Sequence, residues 1–103
     1  MSVLLEFAMF PTDKGESVSA DVSQAVDAIR SSGYPYQLTP MGTIIEAPTL
    51  AEALSVVQAA YDALAPHSNR IYSSLKMDIR HGHDNRLEGK IASIQRHIGE
   101  VNP

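Results

Sequence analysis

The sequence predicts an α+β fold in which two helices cover one face of a four-stranded antiparallel sheet. Segments with strand-like alternation and segments with helix-like spacing of apolar residues follow one another in the order β-α-β-β-α-β. Turn and capping residues separate these segments, and one more helical segment follows the last strand. The length of 103 residues suffices for one hydrophobic core, so residues 1–103 are expected to form a single domain. This order is that of the ferredoxin-like fold with an added C-terminal helix.

The first strand is predicted over residues 3–10, because apolar residues occupy alternate positions there. One face carries Val3, Leu5, Phe7 and Met9, and the other carries Leu4, Glu6, Ala8 and Phe10. Turn residues in segment 11–15 end the strand. The helix that follows has its apolar stripe at Val18, Val22, Ala25, Val26 and Ile29. Gly33 is placed to end that helix.

A hairpin is predicted next. Residues 36–39 and 43–47 read as two short strands, and the Pro-Met-Gly turn at residues 40–42 joins them. Tyr34 and Tyr36, near the start of the first of these strands, are expected to pack against the fold rather than to stack on a ligand.

The second helix begins with a capping box, in which Thr49 caps the backbone and the Glu52 side chain reaches back. Pro66 ends this helix. Its apolar stripe, which is expected to lie in the core, is Leu50, Leu54, Val57, Tyr61 and Leu64.

The longest strand is predicted over residues 70–80, where alternation is regular. One face carries Ile71, Ser73, Leu75, Met77 and Ile79, and the other carries Tyr72, Ser74, Lys76, Asp78 and Arg80. The turn at residues 81–84 leads into a final helix that Asp84 or Asn85 is expected to cap. The apolar stripe of this helix is Leu87, Ile91, Ile94 and Ile98.

The composition argues against several classes of function. Eight basic against twelve acidic residues give a net charge of −4, which argues against a nucleic-acid partner. There is no cysteine for a disulfide, a thiolate metal site or a nucleophile. Neither a signal-peptide pattern nor a run of roughly 18 apolar residues is present, so we expect no membrane association and a cytoplasmic location. Residues 67–103 carry six basic against four acidic side chains, a balance that suits an anionic ligand or a neighbouring subunit.

The sheet face away from the helices is expected to be half polar. In this fold the first and last strands are neighbours, so Glu6 is expected to lie beside Lys76 and Asp78. Four apolar side chains share that face: Leu4, Ala8, Phe10 and Tyr72. Such a face is too apolar for water over its whole area and too charged for a core. It predicts either packing against the sheet of another subunit, with the charges as an ion-paired cluster, or a polar pocket at such an interface.

Motifs for catalysis or metal binding are weak. His81, His83 and Asp84 have side chains of the types that bind metal ions. The spacing does not fix a third strong ligand beside the two histidines, and the alternative to a metal site is a solvated loop. The glycines are scattered singly, which excludes a glycine-rich phosphate loop. The carboxylates of Glu6, Glu46 and Asp78 have acid–base chemistry, although no pattern singles them out. We therefore predict no catalytic residue, no metal site and no cofactor.

Two segments resemble those of a known family. Residues 36–46, with the motif Met41-Gly42-Thr43-x-x-Glu46, resemble the signature hairpin of the thiamine-binding protein family (UPF0045, formerly DUF77). Residues 70–80 resemble its last strand, and Pro11 and the helix start at residues 17–19 also fit. The resemblance covers essentially the whole chain. It implies a ferredoxin-like fold, homodimers or homotetramers assembled through the sheets, and binding of thiamine or its hydroxymethylpyrimidine portion without known catalysis.

The ligand that this resemblance implies points to candidate binding residues. A carboxylate accepts hydrogen bonds from the aminopyrimidine and offsets the thiazolium charge, while hydroxyl groups complete the hydrogen bonds. The candidates are Thr43 and Glu46 on the hairpin, Asp78 and Glu6 on the open sheet face, and Ser19 at the helix start. Thr43 and Glu46 have opposite strand parity, so at most one of them points into a given face.

The leading hypothesis is therefore a cytoplasmic homo-oligomer that binds thiamine or a related pyrimidine. Two alternatives from other classes stay open. One is a small enzyme that uses the sheet carboxylates as acid and base. The other is a purely structural or regulatory interaction module.

Overall fold

The computed structural model describes residues 1–15 and 18–103, and its elements follow the predicted order. The strands are β1 (Ser2–Pro11), β2 (Tyr36–Thr39), β3 (Gly42–Ala47) and β4 (Ile71–Arg80). The helices are α1 (Ser19–Ser31), α2 (Leu50–Leu64) and α3 (Arg86–Ile98), with a short 3-10 helix, Ala65–His67, after α2. Ser17, which belongs to the predicted helix start, lies outside the described residues.

The four strands form an antiparallel sheet in the order β2-β3-β1-β4, so the α+β, ferredoxin-like prediction is confirmed. The register across β1 places Leu4 opposite Glu46 of β3 and opposite Asp78 of β4. One step along the same face, Glu6 lies opposite Lys76. The face that we expected to carry Glu6, Lys76 and Asp78 does carry all three.

The alternation of β1 separates a buried face of the sheet from an open one, as predicted. Its inward residues are at most 8% exposed and form the core with residues of α1 and α2: Val3, Leu5, Phe7 and Met9. From α1, Ala25 and Ile29 are buried in the same cluster, as the predicted stripe requires. Gly33 has a φ of +83°, in the left-handed region that commonly follows a helix end, so it has the predicted stop role.

The predicted buried stripe of α2 is right at Leu64 and, where the side chain packs against the core, at Val57, but it is wrong at its other three positions. The helix packs through Ala53, Val56, Ala60 and Leu64, whereas Leu50, Leu54 and Tyr61 are 38%, 43% and 46% exposed. The physical reason is that α2 packs against both α1 and the sheet. Alanine side chains allow this close approach, while the larger side chains turn outward. The Thr49 cap is confirmed, since its hydroxyl oxygen accepts from the Glu52 N–H at 3.2 Å. The return bond from Glu52 is not formed, and Glu52 Oε2 is buried without a partner among the described residues.

The last strand and the last helix are the least covered parts of the fold. β4 is an edge strand, and Leu75, Met77 and Ile79 are 39%, 44% and 44% exposed, because α1 and α2 pack on β1 and β3. No residue of α3 is buried, and Ile98 is 73% exposed, so its predicted stripe is not core. Within residues 1–15 and 18–103, no helix has both the length and the apolar character needed to cross a membrane.

Candidate functional site

An open cavity of about 330 Å³ lies on the helix side of the sheet, bordered by α1, the end of β1 and the β2–β3 hairpin. We call it the helix-side cavity. Its walls are mainly apolar and include Phe7, Met9, Val22, Val26, Ile29 and Leu38. Among the described residues, no ionisable side chain lines it. The helix-side cavity therefore suits an uncharged, flat group of modest size.

Thr43 lines this cavity, with 5% of its surface exposed. In the ladder it lies opposite Phe7 of β1 and Leu38 of β2, on the helix side of the sheet. No residue in the described part of the chain forms a hydrogen bond with its side chain. Its hydroxyl is thus an uncommitted donor and acceptor in an apolar surrounding, where an added hydrogen bond is worth more than in water.

The hairpin turn that positions Thr43 is built by Thr39 and Gly42. The Thr39 hydroxyl donates to the Gly42 carbonyl at 2.8 Å and accepts from the N–H groups of Met41 and Gly42 at 3.2 and 3.1 Å. A Cβ at Gly42 would lie 3.0 Å from the Phe7 carbonyl oxygen. This close approach to the backbone favours glycine at the second position of the Met41-Gly42-Thr43 motif.

A shallow groove adjoins the cavity along the outer side of α1. It shares Val22, Val26 and Leu38 with the cavity, and its polar lining includes Ser19, Asp27 and Tyr36. Leu38 is 60% exposed and Met41, at the turn, is 87% exposed. The mouth of the cavity is thus bordered by apolar side chains that are exposed to water in the single chain.

Glu46 lies on the opposite, open face of the sheet, and it caps α3. One carboxylate oxygen accepts from the Arg86 N–H and the other from the Leu87 N–H, both at 2.9 Å. The expected cap is therefore corrected: Asn85 has a left-handed φ of 55° and no side-chain capping bond, and Asp84 instead lies 3.6 Å from the N-terminal ammonium. Burial alone raises the pKa of Glu46. The two backbone N–H groups, the Ser2 hydroxyl and the Arg86 charge outweigh burial and lower that pKa below the usual glutamate value.

Arg86 joins Glu46 to Asp78. Its Nη1 lies 3.0 Å from a carboxylate oxygen of Asp78, and its Nε donates to the Ser2 hydroxyl at 2.9 Å. The Arg86 side chain is only 10% exposed. No sequence pattern had singled out this residue. The available signal is its position, because a cation in the first turn of a helix is disfavoured by the helix dipole and indicates a nearby carboxylate.

The remaining charges form separate contacts. Glu6 pairs with Lys76 at 3.3 Å, and the side chains are 44% and 79% exposed. His83 Nδ1 lies 3.2 Å from the His81 carbonyl oxygen in an exposed loop. Over residues 1–15 and 18–103, no three side chains of the His, Cys, Asp or Glu type come close enough to hold a metal ion.

Known families and structures match this architecture along nearly its whole length. The family described as "Thiamine-binding protein" matches residues 5–95. The chain belongs to this family. A UPF0045 protein of Mycobacterium bovis is 38% identical over 98 residues, which span 95% of this chain and 96% of that protein. A UPF0045 protein of Methanocaldococcus jannaschii is 32% identical over 92 residues, or 89% of this chain and 91% of that protein.

Solved structures of thiamine-binding-family and related proteins have the same fold. The crystal structure of the Methanocaldococcus jannaschii protein superposes with a TM-score of 0.80 at 31% identity and covers 97% of this chain and 98% of that one. A Thermotoga maritima protein proposed for thiamine biosynthesis or salvage superposes with a TM-score of 0.78. Its identity of 20%, over 91% of this chain and 99% of that one, supports the fold alone. The resemblance noted in the hairpin and the last strand is therefore confirmed, and family membership supports a small-molecule binding role.

The five candidate residues divide between the two faces of this thiamine-binding-family fold. Thr43 borders the helix-side cavity, and Ser19 borders the adjoining groove. Glu46 and Asp78 are brought together on the open face through Arg86. Glu6 belongs to neither group. The opposite orientation of Thr43 and Glu46 follows the strand parity of β3.

Proposed function

We propose that the protein binds thiamine or its hydroxymethylpyrimidine moiety and does not transform it. The observation that carries this proposal is the helix-side cavity of about 330 Å³, with apolar walls and the uncommitted hydroxyl of Thr43. Its volume lies at the lower end of the ~300–1,000 Å³ range of small-ligand pockets. That size suits one aromatic ring better than a larger cofactor.

The aminopyrimidine ring is the part of thiamine that we place in the cavity. Its flat faces pack against the apolar walls, and its donor and acceptor edge bonds with the Thr43 hydroxyl. The thiazolium then extends into the groove, where Ser19 offers a hydroxyl. Tyr36, which we expected to pack against the fold, is 38% exposed and lines the groove, so its ring offers a cation–π contact. In this arrangement Glu46, Asp78 and Glu6 lie across the sheet from the ligand, and Glu46 holds α3 in place.

We further propose that the site is completed at a homo-oligomer interface. The support is the exposure of Leu38 and Met41, at 60% and 87%, beside the cavity mouth. A second copy seated there would remove this apolar surface from water and close the pocket over the ligand.

Binding without turnover is the form of activity that the lining supports. The described residues that line the cavity include no acid, base or charged side chain, and in the adjoining groove Asp27 and Arg30 pair with each other. On the open face, Glu46 and Asp78 are tied to Arg86 and to the start of α3. An enzymatic role for these two carboxylates would require those hydrogen bonds and that ion pair to break.

Calorimetric titration of the oligomeric protein with thiamine tests the proposal. We expect saturable binding, and we expect Thr43→Val to weaken it about fivefold, because one hydrogen bond contributes about 1 kcal/mol net. Thr12→Val, an exposed threonine outside the cavity, is the matched control and should bind like the parent. Mass spectrometry of the recovered ligand should show intact thiamine. A flat titration, equal losses in both variants, or a chemically altered ligand would each contradict the proposal.

A further inference from the structure

A second concave site lies on the other face of the sheet, between its open face and α3. This α3 cleft encloses about 510 Å³. The residues used below line it: Leu4, Arg80, Arg86, Lys90, Ser93 and Arg96. It shares no lining residue with the helix-side cavity, so it is a separate site.

The α3 cleft gathers positive charge in an acidic protein. Four of the eight lysines and arginines of the chain line it, although the net charge is −4. Its two carboxylates are already engaged, since Asp78 pairs with Arg86 and Asp84 lies 3.6 Å from the N-terminal ammonium. In the part of the chain that the structure describes, Arg80, Lys90 and Arg96 have no carboxylate within salt-bridge distance.

The attraction of the α3 cleft for an anion comes from side chains rather than from the N-terminus of α3. The first amides of α3 are occupied by Glu46 and are not available to a ligand. Arg86, Lys90 and Ser93 follow one another at spacings of four and three residues, which places them on one face of the helix. Because Arg86 already pairs with Asp78, Lys90 is the cation on this face that is left for an anion, together with Arg80 and Arg96 in the cleft lining.

Gly89 leaves one position in the wall of the cleft without a side chain. It lies inside α3, where glycine is disfavoured relative to alanine. A Cβ there would meet nothing within 4 Å, so packing within the described chain does not require glycine. Gly89 also lines the cleft, and any larger side chain at this position would project into it.

We propose that the α3 cleft binds a small phosphate-bearing anion. Arginine forks and a lysine ammonium match the oxygens of a phosphate group, and a serine hydroxyl adds a hydrogen bond. The concave shape and the volume suit a small molecule, and the negative net charge disfavours a nucleic-acid backbone. The proposal does not rest on thiamine binding, because the two sites lie on opposite faces of the sheet.

Titration of the whole protein with inorganic phosphate, with pyrophosphate and with a phosphomonoester, all at constant ionic strength, tests this inference. We expect saturable changes in the amide resonances of α3, with tighter binding of the more highly charged probes. Lys90→Gln and Arg96→Gln should each weaken binding about tenfold, because each removes one charge-assisted contact. Lys76→Gln removes a cation from the same sheet face outside the cleft and should leave the affinity unchanged.

Two further measurements separate the outcomes. Gly89→Leu should fold, since leucine favours helix, and should abolish phosphate binding by filling the cleft. Thiamine binding should be unchanged in Lys90→Gln and Arg96→Gln. The proposal fails if no probe saturates at constant ionic strength, or if Lys76→Gln weakens binding as much as the cleft variants do. It also fails if sedimentation shows that the cleft variants dissociate the oligomer and if phosphate binds neither the oligomer nor the dissociated protein. The cleft would then face an acidic surface of a second copy.

Discussion

Glu46 shows how one side chain joins two distant parts of the chain. It is 7% exposed on β3, and its carboxylate accepts the first two amides of α3. Arg86 adds its charge and ties the same corner to Ser2 and Asp78. Glu46 and Arg86 hold the start of α3 against the sheet, because the Glu46 carboxylate accepts from helix N–H groups that have no acceptor within α3 itself.

The titration of Glu46 gives a prediction for stability. Its folded-state pKa is lowered, so the carboxylate stabilises the fold fully above the unfolded pKa of about 4.3 and loses this effect as the pH falls through the folded pKa. Glu46→Gln should reduce the free energy of unfolding by about 1–3 kcal/mol near neutral pH, since an amide cannot accept both bonds. Below about pH 4.3 the difference between variant and parent should shrink.

Urea unfolding between about pH 7 and about pH 3, at fixed protein concentration, measures this difference. Glu6→Gln is the control, because Glu6 forms an exposed ion pair and should change stability by no more than about 1 kcal/mol. Parallel pH profiles for the parent and Glu46→Gln would show that the cap of α3 does not depend on this carboxylate.

Among the secondary-structure elements, the hairpin depends on a single close approach. A Cβ at Gly42 would lie 3.0 Å from the Phe7 carbonyl oxygen, and backbone cannot yield as a flexible side chain does. We expect Gly42→Ala to destabilise the protein by about 1–3 kcal/mol, as overpacking does, and to weaken thiamine binding by shifting Thr43.

Gly89→Ala is the matched control for Gly42→Ala. Nothing lies within 4 Å of the added Cβ, and the site is inside a helix. It should therefore raise stability by up to about 1 kcal/mol. Thermal unfolding of the two variants should move in opposite directions. A lowered Tm in both, or in neither, would mean that backbone proximity does not explain the glycine at position 42.

The sequence predicted elements well where the pattern was local. The alternation in β1 placed Val3 and Leu5 in the core and Glu6 on the open face, because strand geometry allows no other arrangement. In α2 the pattern held at Leu64 but misled at Leu54 and Tyr61, since the closest packing uses Ala53 and Ala60. The capping of α3 by Glu46 spans 40 residues, and no local signal reports a contact at that distance.

The whole molecule leaves much apolar surface in water. Leu38 and Met41 border the cavity mouth, while β4 and α3 present further exposed side chains such as Met77 and Ile98. This exposure is what motivates the proposed assembly at the cavity mouth.

The assembly that we propose at the cavity mouth has a direct test. Replacing Leu38 and Met41 together by lysine should lower the sedimenting mass and weaken thiamine binding, because charge would then have to be buried at the interface. Gln24→Lys on the exposed side of α1 adds the same kind of charge elsewhere and should change neither property. Unchanged mass with full thiamine affinity in the double variant would exclude this interface.

The long-range cap of α3 also affects the order in which the elements fold and open. Before β3 has paired with β1, the carboxylate of Glu46 is not held near the amides of Arg86 and Leu87. Bringing Glu46 and the start of α3 together costs chain entropy, and the stability of the short helix alone does not offset this cost. We therefore expect α3 to order last during folding and to open first from the native state, which would make the α3 cleft the most readily remodelled part of the molecule.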